Sequence, residues 1–164
     1  MKTLLLRNRQ RVRAVDSPLL RRIARNLLEE KLAVTGYELG IHLVAAPEMA
    51  RLNEAFLQHT GSTDVITFNH SEDPDPFQLH GEIFICLDDA VKQSRAFRTT
   101  WQSELVRYVI HGVLHLRGFD DLTPGKRRVM KLEENRLLRE LARQFPLRQL
   151  VKSTVRQLST TRHR

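Results

Sequence analysis

Cysteine is nearly absent. Cys86 stands alone among 164 residues, so no disulfide framework can form within the chain. No apolar run approaches the ~20 residues that a membrane-spanning helix needs. The short apolar run at residues 3–6 is followed by arginines at 7, 9, 11 and 13, whereas a secretory leader carries its charge before a longer apolar stretch. Internal repeats and a second linker are also missing. These absences lead us to expect a cytoplasmic protein with no membrane association and a single hydrophobic core. Acids are missing from both ends. Residues 1–14 hold five basic residues and no acidic one, and residues 147–164 repeat that count. The formal charge of +8 therefore belongs to the ends, because the 132 residues between them hold 17 basic and 19 acidic side chains. Basic ends suit the salt-dependent, sequence-independent part of nucleic-acid affinity.

What is present reads as α/β in the mixed sense: about four strands in one sheet, packed with about five helices. A first strand covers Thr3–Arg9. Asp16 or Ser17 caps a helix that runs to about Ala33 with leucine and isoleucine at helical spacing. Residues 37–45 alternate as a strand, with Glu38 and His42 on one face and Leu39, Ile41 and Leu43 on the other, and His42 is expected to meet solvent. Pro47 opens a second helix, residues 65–68 form a strand, and 70–79 form a polar loop with no calcium-binding pattern. Residues 81–87 are almost continuously apolar, as a central strand should be, and a short helix capped at Asp88–Asp89 follows. Thr99 or Thr100 begins a helix that is apolar nearly all round. The last helix is expected to bury Val129, Met130, Leu132, Leu137, Leu138 and Leu141. The domain is expected to cover 1–146, and 147–164 to be a flexible basic tail.

The chemistry is concentrated in residues 110–121. His111 and His115 are four apart, which puts both imidazoles on one face of a helix. Gly118 can take the positive φ that ends a helix, and the returning chain can bring Asp121 to the same point. Two imidazoles and a carboxylate leave a fourth metal position open, as in a catalytic zinc site. Against the metalloprotease pattern His-Glu-x-x-His-x-x-Gly-x-x-His, Gly112 replaces the glutamate and Asp121 the third histidine. Glycine cannot take a proton, so peptide hydrolysis by that route is excluded.

The run His111-Gly112-Val113-Leu114-His115-Leu116-Arg117-Gly118-Phe119-Asp120 resembles the signature of the YbeY family, bacterial metal-dependent endoribonucleases of ribosomal RNA maturation. Leu52-Asn53, Thr63 to Phe68, Gly81 to Ile85, and Leu87-Asp88 with Ala90 and Gln93 are similar to other family elements in the same order, so the resemblance covers about residues 3–142. Two departures stand out. The family's third ligand is usually histidine, where Asp121 adds a negative charge and weakens the Lewis acid. Many members carry an arginine where this chain has Leu57.

The resemblance implies one Zn2+ per chain, held by His111, His115 and Asp121. It also implies an acid at Glu82 near the metal. Asp120 is a candidate to orient a ligand histidine through its free ring nitrogen, or else to cap the helix turn. His59 and Arg117 are candidate phosphate contacts. The expected activity is cleavage of single-stranded ribosomal RNA in late 16S 3′-end processing and ribosome quality control, with the small ribosomal subunit as partner. A metal would lower the pKa of a bound water from about 16 toward 7, and either that hydroxide or the neighbouring 2′-OH would attack the phosphodiester. Two alternatives stay open: a ribosome-associated RNA-binding factor with a structural metal, and hydrolysis of another substrate such as a peptide or an ester by the same zinc-bound water, with Gly112 arguing against the peptide.

Overall fold

Alternating strands of apolar and polar residues build one sheet of four strands, in the order β1-β2-β4-β3. β1 (Lys2–Asn8) and β2 (Gly36–Val44) pair in parallel, β2 and β4 (Gln78–Cys86) pair in parallel, and β3 (Val65–Asn69) closes the far edge antiparallel to β4. The computed structural model describes residues 1–57, 61 and 63–152. Among the described residues five helices pack around the sheet: α1 (Ser17–Asn26), α2 (Ala46–Leu57), α3 (Leu87–Phe97), α4 (Trp101–Leu116) and α5 (Pro124–Gln144). A π-helical turn, Leu27–Lys31, extends α1, and a 3-10 turn, Leu147–Leu150, follows α5. The mixed α/β expectation and the interior position of β4 hold.

Period-two alternation gives the sheet two faces. Leu4 of β1, Leu39, Ile41 and Leu43 of β2, and Leu79, Ile83 and Ile85 of β4 join the main core with α1, α4 and α5. The other face carries a smaller cluster of Val44, Met49, Ile66 and Cys86, with Phe68 and Phe84 packed against it. α2 supplies Met49 to that cluster. His42 lies on this second face, as its alternation requires, but it does not meet solvent. It is 5% exposed, stacked on Phe84 with ring centroids 4.4 Å apart. The second face is packed where a one-sided sheet would have been wet, and β2 is covered on both sides.

α5 corrects a second expectation. Val129 and Leu132 are 56% and 64% exposed, and the buried stripe is Met130, Glu134, Leu137, Leu138 and Leu141. The spacing of 130, 134, 137 and 141 is helical, but it admits a carboxylate in place of the two aliphatic residues. The domain also reaches past 146. Leu150 is fully buried, its carbonyl accepts from the Asp16 N–H, Lys152 N–H donates to the Ala14 carbonyl, and Val151 bridges Val15. Apolar Leu147 and Leu150 make this docking possible, so the tail does not begin at 147. Residues 153–164 lie outside the described residues.

Candidate metal centre

The centre starts from how α4 begins and ends. Thr100 caps it, its side chain accepting from the Ser103 N–H at 3.1 Å. Gly118, with φ of 104°, closes the other end: its N–H donates to the His115 carbonyl and the Phe119 N–H to the Leu114 carbonyl. These are the two hydrogen bonds of a Schellman turn. The turn carries the Phe119 carbonyl back over the helix, where it accepts from His115 Nδ1 at 3.0 Å. His111 Nδ1 donates to Glu134 Oε2 of α5 at 2.7 Å.

Those two bonds decide the tautomers. A carboxylate and a carbonyl only accept, so each Nδ1 carries the ring hydrogen of a neutral imidazole and each Nε2 presents a lone pair. The two Nε2 atoms lie 3.0 Å apart. Asp121 Oδ2 faces both, 3.9 Å from His111 Nε2 and 3.8 Å from His115 Nε2. Three electron-rich atoms converging in this way need a cation or a proton between them. The point equidistant from all three lies about 2.1 Å from each, which is the length of a zinc–nitrogen or zinc–oxygen bond. The donor set therefore fits a metal ion, and His111, His115 and Asp121 could hold one.

Electrostatics agree. Burial is the largest single influence on His111 and opposes its charge, but the Glu134 carboxylate together with Asp64 and Asp121 outweighs it and holds the His111 pKa above the ordinary histidine value. For His115, burial and the neighbouring His111 push the pKa down.

Of the other candidates, Asp120 caps the turn: it accepts from the Leu122 N–H at 3.1 Å and from Lys126 Nζ at 3.3 Å, and it touches neither histidine ring. The ring-orienting acceptors are Glu134 and Phe119 O, which the sequence reading missed. Glu82 is on the sheet face turned away from α4, because its neighbour Ile83 faces Gly112 of that helix. Its carboxylate bridges His42 Nε2 at 3.0 Å and His70 Nε2 at 2.9 Å. The expected place beside the metal is thus not where the strand puts it. Arg117 lies over the Phe77 ring, 5.7 Å from its centroid. His59 lies outside the described residues.

Gly112, which stands where a protease has its general base, is explained by packing. A Cβ built there would lie 2.6 Å from Ile83 Cγ2 and 2.9 Å from Ile83 Cδ1. Gly112→Ala should therefore lose about 1–3 kcal/mol to overpacking, more than the roughly 1 kcal/mol that alanine gains in a helix. Urea denaturation should show the loss, and an Ile83→Ala background should remove it. A Gly112→Ala protein more stable than the parent would contradict this packing.

The centre opens into a cleft of about 480 Å3 between α3, α4 and α5, where His111 and Asp121 share the lining with Asp64, Phe97, Arg127 and Lys131. Asp64 also anchors β3, accepting from the Val65 N–H at 2.8 Å. Among the described residues no helix is long and apolar enough to cross a membrane.

A sequence model of the family described as Endoribonuclease YbeY matches residues 5–142. A Salinibacter ruber protein of that name is 32% identical over 133 residues, covering 77% of this chain and 83% of its own. One from Parabacteroides distasonis is 40% identical over 91 residues, 56% of this chain, and the match spans only 62% of that relative's length. The solution structure of a Thermotoga maritima protein superposes with a TM-score of 0.62 at 25% identity, covering 85% of this chain and 89% of that one.

Proposed function

We propose, from the premise that this chain belongs to the YbeY family, that it is a zinc-dependent endoribonuclease of ribosomal RNA maturation. It would act in the cytoplasm on single-stranded RNA of the small ribosomal subunit, in late 16S 3′-end processing and ribosome quality control. The observation that carries this reading is the convergence of His111 Nε2, His115 Nε2 and Asp121 Oδ2 on one point, with both Nδ1 atoms engaged elsewhere.

When bound, such an ion supplies Lewis acidity: it makes an oxygen nucleophile available at neutral pH and neutralises charge developing on a phosphate. The chain's own residues do the rest. Glu134 and the Phe119 carbonyl hold the two rings in register. Ile83 and the apolar residues of α4 exclude water behind them. With Gly112 in the protease position and Glu82 on the opposite sheet face, no carboxylate of those two positions acts as base. A structural metal in a non-catalytic RNA-binding factor fits less well, since closed structural sites use four protein ligands, whereas here there are three and two of them, His111 and Asp121, line an open cleft.

The test uses the full chain as purified. Elemental analysis should find about one zinc per chain, and a ribosomal RNA fragment should be cut. Chelation should abolish both, and added zinc should restore both. Cutting that survives complete metal removal would overturn the reading. RNA that is bound by the zinc-loaded chain and never cut would replace it with the binding factor.

A further inference from the structure

One wall of the cleft has no part in holding the metal. Arg127 and Lys131 line it from α5. They are four residues apart, hence one turn apart on the same helix face. Both are exposed, and neither makes an ion pair or a side-chain hydrogen bond among the described residues. Arg107, the third cation of the lining, is committed inside the fold: it lies 3.5 Å from both Glu104 and Glu134 and donates to Asn135 Oδ1 at 2.8 Å. Of the carboxylates of the lining, Glu104 and Glu134 are taken by Arg107 and His111 and Asp121 by the metal point, while Asp64 accepts from the Val65 N–H.

Helix stability does not explain where Arg127 sits. The first turn of α5 has no acid, and cations there oppose the helix dipole. Lys126 is paired with Asp120 at 3.3 Å; Arg127 gains nothing comparable within the fold. Across the cleft, at the end of α3, Phe97 is 69% exposed and makes no ring–ring contact among the described residues. A lone exposed phenylalanine is ordinary. This one shares a one-nucleotide-sized cleft with two unpaired cations and two metal donors.

We propose that this cleft is a single-nucleotide subsite beside the scissile phosphate. Arg127 and Lys131 hold the adjoining backbone phosphate, and the base of that nucleotide stacks on Phe97. The inference rests on the endoribonuclease reading and deepens it. Stacking on an aromatic ring accepts any base, and a base can enter only when it is unpaired and splayed from its neighbours. The subsite therefore selects single strands without selecting sequence.

The experiment compares Arg127→Ala/Lys131→Ala, Phe97→Ala and a control, Arg128→Ala, in the full chain. Arg128 is in the same turn but does not line the cleft. Anisotropy in chelator gives the affinity for a single-stranded RNA oligonucleotide across a salt series, and steady-state cleavage with zinc gives KM and kcat. A lost phosphate contact should reduce the salt slope by about 0.7, so the double variant, which releases that one phosphate, should lose about 0.7 and raise KM about tenfold, with kcat within about threefold. Phe97→Ala should weaken binding about tenfold with the slope unchanged, since stacking releases no counterions. Arg128→Ala should match wild type in both. A double-variant slope equal to wild type, or an Arg128→Ala loss as large as the double variant's, overturns the subsite. If wild type cuts RNA and the slope does not move, only the subsite fails. If wild type binds but does not cut, the endoribonuclease reading fails and the slopes still decide the subsite. If it binds no RNA, both fail.

Discussion

His115→Ala should empty the metal centre and lower RNA cleavage by about three orders of magnitude or more, without weakening the metal-free fold. Losing Nε2 leaves two donors, His111 and Asp121, and a pair from opposite sides of one turn cannot hold an ion in an open site. The ion's share of transition-state stabilisation is several kcal/mol, and each 1.36 kcal/mol is tenfold in rate, which sets the scale. The stability arm follows from the geometry. In the metal-free protein the two Nε2 lone pairs lie 3.0 Å apart, and burial and His111 hold the His115 pKa below its ordinary value. A histidine of lowered pKa binds fewer protons folded than unfolded, so its cost appears as pH falls below the ordinary value and is absent above it. Alanine removes that cost. In chelator, His115→Ala should melt within a degree or two of wild type at pH 8 and show less loss than wild type at pH 5.5. In zinc the order reverses. A ligand at 1,000 times its Kd stabilises the folded state by about 4 kcal/mol, and only wild type should gain it. A variant that keeps one zinc per chain would remove His115 from the centre.

The sequence carried the centre because its three donors lie within eleven residues. A helical i,i+4 pair and a glycine-terminated turn are local features, and local spacing fixes them. Glu134 was illegible for the opposite reason. It is on another helix, and its only local signal is that a carboxylate occupies the 130–134–137–141 stripe where Val129 and Leu132 look like better core. Period-two alternation could have corrected Glu82. Gly81, Ile83 and Ile85 face the main core, so Glu82 must face away from α4, whatever the family resemblance suggested. His42 was misjudged because a strand pattern shows which residues share a face but not whether neighbours such as Phe84 and Glu82 close over one of them. The order β1-β2-β4-β3 is non-local in the same way: β3 precedes β4 yet takes the edge, and no turn signal states that. Nor does any local pattern show that residues 147–151 return to pack on residues 14–16.

Glu134→Gln should weaken zinc binding by about 10–100-fold at pH 7.5, the usual scale for losing a carboxylate that orients a ligand histidine, and the deficit should shrink in acid. Glutamine is nearly isosteric and its amide oxygen can still accept from His111 Nδ1, so what is lost is the charge. That charge does two things. It makes Nε2 a better donor to the metal, and it raises the affinity of His111 for a proton. Metal and proton compete for Nε2, so wild type begins to lose zinc at a higher pH than an ordinary histidine would dictate. In the variant, burial is left to act on His111 with much less opposition and its pKa falls, so the proton competes less. Zinc affinity measured from pH 8 to pH 5.5 should therefore fall less steeply for Glu134→Gln, and the two curves should converge toward the acid end. The metal-free proteins should separate in the opposite sense. A histidine of raised pKa contributes stability that is complete below its unfolded value and is lost as pH rises through its folded value. Glu134→Gln removes that contribution, so the wild-type advantage in chelator should be largest at pH 5.5 and smallest at pH 8. Parallel zinc curves, with a constant gap at every pH, would mean that Glu134 only positions the ring and that its charge is not felt at Nε2.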